Sequence, residues 1–235
     1  EVGPGLGVLT GELVKKAGRV IAVELDAGLA RALKEQFAGR HNLVVVNEDI
    51  LAVAPEVLLA RVEVAGGYKV VANLPYYITS AVLRHFLEPT RRPELAVVMV
   101  QREVAKSITA KPGELSLLGL SVQIFGEPKI VSRVPAGAFY PPPKVESAVV
   151  KIRMYPRPQI PQAELSGFFV LARAAFCAAR KQIQNSLAQG LGLEKAPILS
   201  RLAAADIDPR RRAETLSIAE WVKLWREFKT SIAQK

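Results

Sequence analysis

Cysteine is almost absent. Cys177 stands alone in 235 residues, so no internal disulfide can form and no cysteine-rich metal site exists. Histidine is nearly as scarce, and His41 and His85 lack metal-ligand spacing, so no metal is expected. No stretch of about 18 apolar residues occurs, and no charged-then-apolar signal segment opens the chain. A membrane-spanning helix is thereby excluded and nothing suggests secretion, which leads to the expectation of a soluble, cytoplasmic protein with no membrane partner. Acidic residues are in deficit: 22 Asp and Glu face 32 Lys and Arg, a formal charge of +10.

What is present is globular. Half the residues are hydrophobic and 23% are charged, enough apolar surface for a core. The basic excess is uneven. Residues 1–150 carry 17 basic against 15 acidic residues, whereas residues 151–235 carry 15 against 7. Such asymmetry suits a surface for a polyanion, nucleic acid or acidic lipid, and equally a solvated face that keeps the protein soluble.

The chain opens on Glu1-Val2-Gly3-Pro4-Gly5-Leu6-Gly7, a glycine-rich turn with only two residues ahead of it. A nucleotide-binding turn of this kind is held in a sheet by a preceding strand of about five residues. The expectation is that residues upstream of Glu1, with most of a first strand, are missing. Beyond the turn, Leu9, Leu13, Val14 and Ala17 recur at helical spacing, with Gly18 as a C-cap; strand 19–23, helix 27–37, strand 43–46, a weak helix over 53–59 and strand 68–72 follow. A helix over 79–87 leads to strand 95–100, so apolar that both faces should be covered. Segments 130–134 and 145–152 have no crossover helix between them and should pair antiparallel at the sheet edge.

Prolines cluster at Met154–Pro161 and mark a linker. Beyond it, Phe168, Leu171, Ala175, Ala179, Ile183 and Leu187 form one apolar stripe, predicting a single long helix that ends near Gly190 and Gly192. Two more helices are predicted over 198–204 and 218–228, the latter with Trp221 and Trp225 four apart as packing residues, and Cys177 reads as core. The fold class is therefore α/β with a doubly wound, mostly parallel sheet, Rossmann-like, followed by a small all-helical C-terminal domain. The domains are expected at 1–155 and 162–235.

The glycines at 3, 5 and 7 let the backbone turn tightly and a ligand approach the main chain. A nicotinamide dinucleotide fingerprint needs its third glycine at position 8, which is Val8, so a dinucleotide oxidoreductase is disfavoured. Glu24 ends the second strand, where such sheets present an acid to ribose hydroxyls. Asp49 follows the third, placed to accept from an adenine amino group. Asn73-Leu74-Pro75-Tyr76 follows the fourth and suits methylation of an exocyclic amine. The amine's lone pair is delocalised into its ring, and acceptors at Asn73 and the Leu74 carbonyl would draw it back onto nitrogen. Pro75 fixes the backbone and Tyr76 offers a stacking face for an extruded base.

Together with Phe139-Tyr140-Pro141-Pro142-Pro143-Lys144-Val145-Glu146-Ser147, Met99–Ala105, Arg173–Phe176, Arg180-Lys181 and Asn185-Ser186-Leu187, these motifs resemble the ribosomal RNA adenine dimethyltransferases over nearly the whole chain. Within the family the sequence is most similar to the bacterial 16S branch, which modifies two adjacent adenosines near the RNA 3′ end. The resemblance implies S-adenosylmethionine as cofactor, bound by Gly3, Gly5, Glu24, Leu25, Asp49, Ile50 and Asn73. It implies a catalytic group of Asn73, Leu74, Pro75, Tyr76 and Phe139, with Phe139 packing on the target adenine opposite Tyr76. It also implies 16S rRNA of the small ribosomal subunit or its precursor as partner, bound by Arg173, Arg180, Lys181, Arg210, Arg211 and Arg212 in a basic helical domain. A monomer is expected. Two alternatives stay open: a 23S rRNA adenine methyltransferase of the macrolide-resistance type, and a ribosome-assembly factor acting mainly by binding.

Overall fold

The computed structural model describes residues 1–63 and 66–232. The chain forms two compact units, Glu1–Ala105 with Pro128–Met154, and Lys106–Glu127 with Tyr155–Lys235. The change of unit at Met154/Tyr155 falls within the proline cluster. The sequence division differs in one respect: Lys106–Glu127 lies in the second unit, a segment with no compositional break to mark it.

In the first unit helices and strands alternate as α1 (Val8–Lys16), β1 (Val20–Glu24), α2 (Ala27–Gln36), β2 (Leu43–Asn47), α3 (Pro55–Ala60), β3 (Lys69–Asn73), α4 (Thr79–Leu87) and β4 (Leu95–Gln101). β1 pairs with β2 in parallel, from Val20↔Leu43 to Glu24↔Asn47, and β3 with β4 likewise, from Lys69↔Leu95 to Asn73↔Met99. Every crossover is helical, as parallel pairing requires. The carboxyl ends therefore align within each pair, Glu24 beside Asn47 and Asn73 beside Met99, and with the chain that follows them form the rim of the first unit.

β5 (Gly126–Val134) and β6 (Ser147–Met154) complete a four-stranded sheet in the order β3-β4-β6-β5. β6 inserts between β4 and β5 and runs antiparallel to β4, from Leu95↔Arg153 to Gln101↔Ser147. Along β4, Ala96, Val98 and Val100 are buried while Leu95, Val97 and Met99 are half-buried, so one of its faces is less covered than its composition predicts. Val2 forms a parallel bridge with Val23, so the residues before the glycine turn run beside β1. A cavity of about 580 Å3, lined by Val20, Ile21, Leu58, Leu59, Val70 and Val71 among others, separates β1 from β3.

The second unit is helical. α5 (Arg102–Ile108) straddles the boundary in the chain, and α6 (Leu117–Gln123), α7 (Leu165–Phe176), α8 (Ile183–Leu191), α9 (Lys195–Ala204) and α10 (Ile218–Ile232) follow. The single long helix is two. α7 stops at Phe176, and α8 starts after Gln182 in extended backbone at ψ 146° and ends at Gly192 in the left-handed conformation. The hairpin buries Ile183 and Leu187 completely and brings Gly190 against Ala174, where an added Cβ would sit 2.4 Å from the Ala174 Cα. Helical periodicity survived the break because both arms face one core.

Phe168, Trp221 and Phe228 are fully buried in that core, with the Phe176 and Trp221 rings stacked at a centroid distance of 5.5 Å. Trp225 donates its indole N–H to Glu164 at 2.6 Å. Cys177 is not core. It caps α7 at the surface, its thiol 3.5 Å from the Ser186 carbonyl. Among the described residues no helix is long and apolar enough to cross a membrane.

Arg211 and Glu220 tie the turn before α10 to its first turn. The Arg211 guanidinium donates to both Glu220 oxygens and, at 2.7 Å, to the Thr215 carbonyl, while the Ser217 N–H donates to Glu220 Oε2 at 2.7 Å. The Arg211 hydrogen bond above all holds the Glu220 carboxyl down at about 2, with Ser217 contributing. A carboxyl whose folded value is depressed stabilises the fold above its unfolded value, near 4.5, and loses that contribution as pH falls toward 2. Glu220→Gln should therefore lower Tm at pH 7 and flatten the decline in Tm between pH 5 and pH 2. Thermal melts followed by circular dichroism test this; parallel curves for the two proteins would show that another group carries the acid sensitivity.

Candidate functional site

The rim of the first unit begins with the glycine turn. Gly3, Gly5 and Gly7 have φ of 63°, 54° and 79°, left-handed values that a side chain would strain. Gly7 also packs where a Cβ would lie 2.6 Å from the Leu33 side chain, so α1 sits close on α2. Gly3 donates its N–H to the Val23 carbonyl at 2.9 Å, which registers the turn against β1.

Glu24, at the end of β1, is 7% exposed. Its Oε2 accepts the Gly5 N–H and its Oε1 the Asp26 N–H, each at 3.0 Å. Asp26 in turn caps α2 through the Leu29 N–H at 2.8 Å. One carboxylate thus joins the glycine turn to the entrance of the next helix. A carboxylate offers about four lone-pair directions, so two remain for further donors. Leu25 beside it is 66% exposed, a large apolar side chain held out at the rim.

Asn47 was not singled out from sequence. It ends β2, and its side-chain amide donates to the Glu24 and Leu25 carbonyls at 2.9 and 3.0 Å, locking the rim of β1 to that of β2. Its position opposite Glu24 in a parallel register was the available signal, and only the pairing reveals it. Asp49 is exposed, with Oδ1 accepting the Leu51 N–H at 2.9 Å. Ile50 is buried beneath it at 5% exposure.

Asn73 ends β3 with its side chain exposed, and Leu74 turns inward to 1% exposure while its N–H reaches the Met99 carbonyl at 3.2 Å. Among the described residues no hydrogen bond engages the Asn73 amide or the Leu74 carbonyl. The Pro75 carbonyl accepts the Ile78 N–H at 3.2 Å and the Thr79 hydroxyl at 3.3 Å, so the loop folds directly into α4. A Cβ added to Gly3 would lie 3.9 Å from the Pro75 ring, so the glycine turn and the Asn73–Tyr76 loop adjoin. The Tyr76 and Ser147 hydroxyls are 2.7 Å apart. Phe139 is half-buried in extended backbone, and Tyr140 beside it is fully exposed.

In the second unit the basic residues separate into two kinds. Arg173 is exposed on α7, whereas Arg180 and Lys181 lie beyond the end of that helix, in the link to α8, rather than seven apart on one helical face. The Ile183 N–H donates to the Arg211 carbonyl at 2.7 Å and brings the Arg210–Arg212 run beside this link. Arg210 and Arg212 are exposed, in surface pairs with Asp208 and Glu214 at 3.2 and 3.4 Å. Arg211 is the exception. Its guanidinium is engaged by Glu220 and Thr215 within the fold. Among the described residues no group of three His, Cys, Asp or Glu could hold a metal.

Comparison with known proteins matches this geometry to one family. A sequence profile described as ribosomal RNA adenine dimethylase matches residues 1–229. The chain is 57% identical over 228 residues to ribosomal RNA small subunit methyltransferase A of Dehalococcoides mccartyi, covering 97% of this chain and 77% of that protein. It is 45% identical over 233 residues to the protein of the same name from Moorella thermoacetica, covering 96% and 81%. Among solved structures, the 23S rRNA methyltransferase ErmE superposes with a TM-score of 0.73 at 29% identity, covering 96% of this chain and 88% of that one. A dimethyladenosine transferase from Plasmodium falciparum gives 0.79 at 23% identity, covering 97% and 88%, which bears on fold alone. The fold is that of a Rossmann-like methyltransferase with an added helical part, and the chain belongs to the ribosomal RNA adenine dimethylase family.

Proposed function

We propose that this protein transfers methyl groups from S-adenosylmethionine to N6 of two adjacent adenosines near the 3′ end of 16S rRNA in the small ribosomal subunit or its precursor, forming N6,N6-dimethyladenosine. The observation that carries the reading is the approach of Gly3 to Pro75. It sets a nucleotide-type glycine turn beside a loop with an unengaged carboxamide and carbonyl, as transfer between two bound nucleotides requires. The identity of 57% to a small-subunit enzyme, against 29% to a 23S enzyme, favours the 16S substrate. Reaction in the cytoplasm by a monomer completes the proposal.

The residues present fit the cofactor. Glu24 keeps lone pairs free for ribose hydroxyls, Gly3 and Gly5 present backbone without a Cβ, Leu25 and Ile50 supply apolar walls for an adenine, and the free oxygen of Asp49 accepts from its amino group. When bound, S-adenosylmethionine supplies an electrophilic sulfonium methyl. Asn73 Oδ1 and the Leu74 carbonyl would each accept an N–H of the target amine, concentrating its lone pair on nitrogen for methyl transfer, and the proton that the methylated nitrogen sheds would pass to water. Tyr76 and Phe139 stack on the extruded base, and Pro75 fixes the carbonyl between them. No side chain with an unusual proton affinity is needed, because positioning supplies most of the barrier reduction.

The second unit presents Arg173, Arg180, Lys181, Arg210 and Arg212 for RNA phosphates, and Arg211 is withdrawn from that set by its internal bonds. Arg180→Ala should weaken 30S binding and reduce the slope of log K against log salt by about 1. Arg211→Ala should instead lower Tm. Filter binding at several salt concentrations, with melts in parallel, separates the two.

The test of the reaction is methyl transfer from labelled S-adenosylmethionine into undermethylated 30S particles and, separately, into 23S RNA. Label recovered as dimethyladenosine in 30S alone supports the proposal; label in 23S RNA alone overturns the substrate. Salt-sensitive 30S binding with no label in either would point to an assembly factor. Asn73→Ala should lower kcat by about 100-fold or more, as loss of one aimed polar group does elsewhere, with cofactor Kd changed by less than about 3-fold. Equal losses in kcat and cofactor affinity would make Asn73 chiefly a cofactor ligand.

A further inference from the structure

Ser147 is an unusual residue for its place. It opens β6 and faces Gln101 across the antiparallel ladder, and it places a polar hydroxyl in a completely buried position. Among the described residues, its hydroxyl shares one hydrogen bond, with the Tyr76 hydroxyl at 2.7 Å. The two residues are 71 positions apart, at the ends of β3 and β6, and β4 lies between those strands in the sheet.

Ser147 is itself rigidly held. The Arg102 N–H donates to the Glu146 carbonyl at 2.9 Å, and the Arg102 guanidinium contacts the Glu146 carboxylate at 2.5 Å. With the Gln101↔Ser147 pairing, these bonds anchor the end of β6 to the end of β4 on both sides of the serine. Tyr76, by contrast, sits in a short one-turn helix with a half-buried ring, and its hydroxyl bond is a long-range tie on that ring. Ser147 also closes the segment that begins at Phe139, so the bond links the two loops that carry the aromatic rings.

We infer that Ser147 is a positioning residue for methyl transfer: its hydroxyl fixes the Tyr76 ring, and through that ring the plane of the target adenine. The inference rests on the function proposed above. It gives the tie a particular role in the second transfer. The unmodified amine has two N–H bonds for Asn73 and the Leu74 carbonyl, but the monomethylated amine has one. With one acceptor contact gone, orientation of the nitrogen depends more on the stacking ring. Loosening Tyr76 should therefore slow the second methylation more than the first.

The experiment compares Ser147→Ala, Tyr76→Phe and the double variant with the unaltered full chain. Turnover is measured on undermethylated 30S particles, with mono- and dimethyladenosine quantified separately. Each single variant should lower the second-step rate between about 10- and 100-fold, raise the share of monomethyladenosine and leave cofactor Kd unchanged. The double variant should be no worse than either single one, since both remove the same bond. In parallel, NMR of protein labelled at tyrosine Cζ gives lines for five tyrosines, and Ser147→Ala should shift the one that Tyr76→Phe deletes.

A tyrosine line that stays in place overturns the inference. So do additive losses in the double variant, or an unchanged product ratio in an active Ser147→Ala protein. An unaltered chain that leaves 30S unlabelled overturns the functional reading and this inference with it; a labelled 30S with an unmoved product ratio overturns this inference alone.

Discussion

The Glu24 carboxylate accepts one backbone N–H from the glycine turn and one from the entrance to α2, and the rim of the first unit is arranged around it. Three left-handed glycines in five residues form a costly piece of backbone, because glycine surrenders more conformational freedom than any other residue. The turn persists because Glu24 holds it from β1 and the Val23 carbonyl registers it through Gly3. Asn47 then holds the carbonyls of Glu24 and Leu25 from β2. A parallel register aligns the ends of β1 and β2, and these side-chain bonds lock the aligned ends together.

The same economy recurs at the opposite side of that rim. Arg102 and Glu146 fasten β4 to β6, Ser147 stands next to them, and Tyr76 hangs from Ser147. Residues at the adjoining ends of β4 and β6 therefore fix one aromatic ring that follows β3. Among the described residues the exposed Asn73 amide and the Leu74 carbonyl have no hydrogen-bond partner, and they lie between the glycine turn and that ring.

Charge in the second unit divides by burial. Arg211 is half-buried and committed to Glu220, where it depresses the carboxyl and locks the start of α10. Its neighbours Arg210 and Arg212 are exposed and in weak surface pairs. Three consecutive arginines are indistinguishable as letters; the fold gives the middle one a different task.

Much of the fold was legible because hydrophobic periodicity is a local property. The strands and helices from Val20 to Gln101 follow the apolar pattern within a residue or two, and helix Thr79–Leu87 follows it at both ends. The site motifs were legible for the same reason: glycine turn, Glu24, Asp49 and Asn73–Tyr76 are short runs whose chemistry depends on residue type and on following a strand. α5 and α6 were not read from the sequence, and the break between α7 and α8 escaped because both arms keep one apolar phase. The sequence by itself determined the alternating α/β class, the helical C-terminal part and the identity of the methyl-transfer motif. Only the tertiary structure decided that Asn47 braces Glu24, that Arg211 is structural, and that Ser147 holds Tyr76, because each is a bond between residues 9 to 71 positions apart whose partners meet through strand pairing or helix packing.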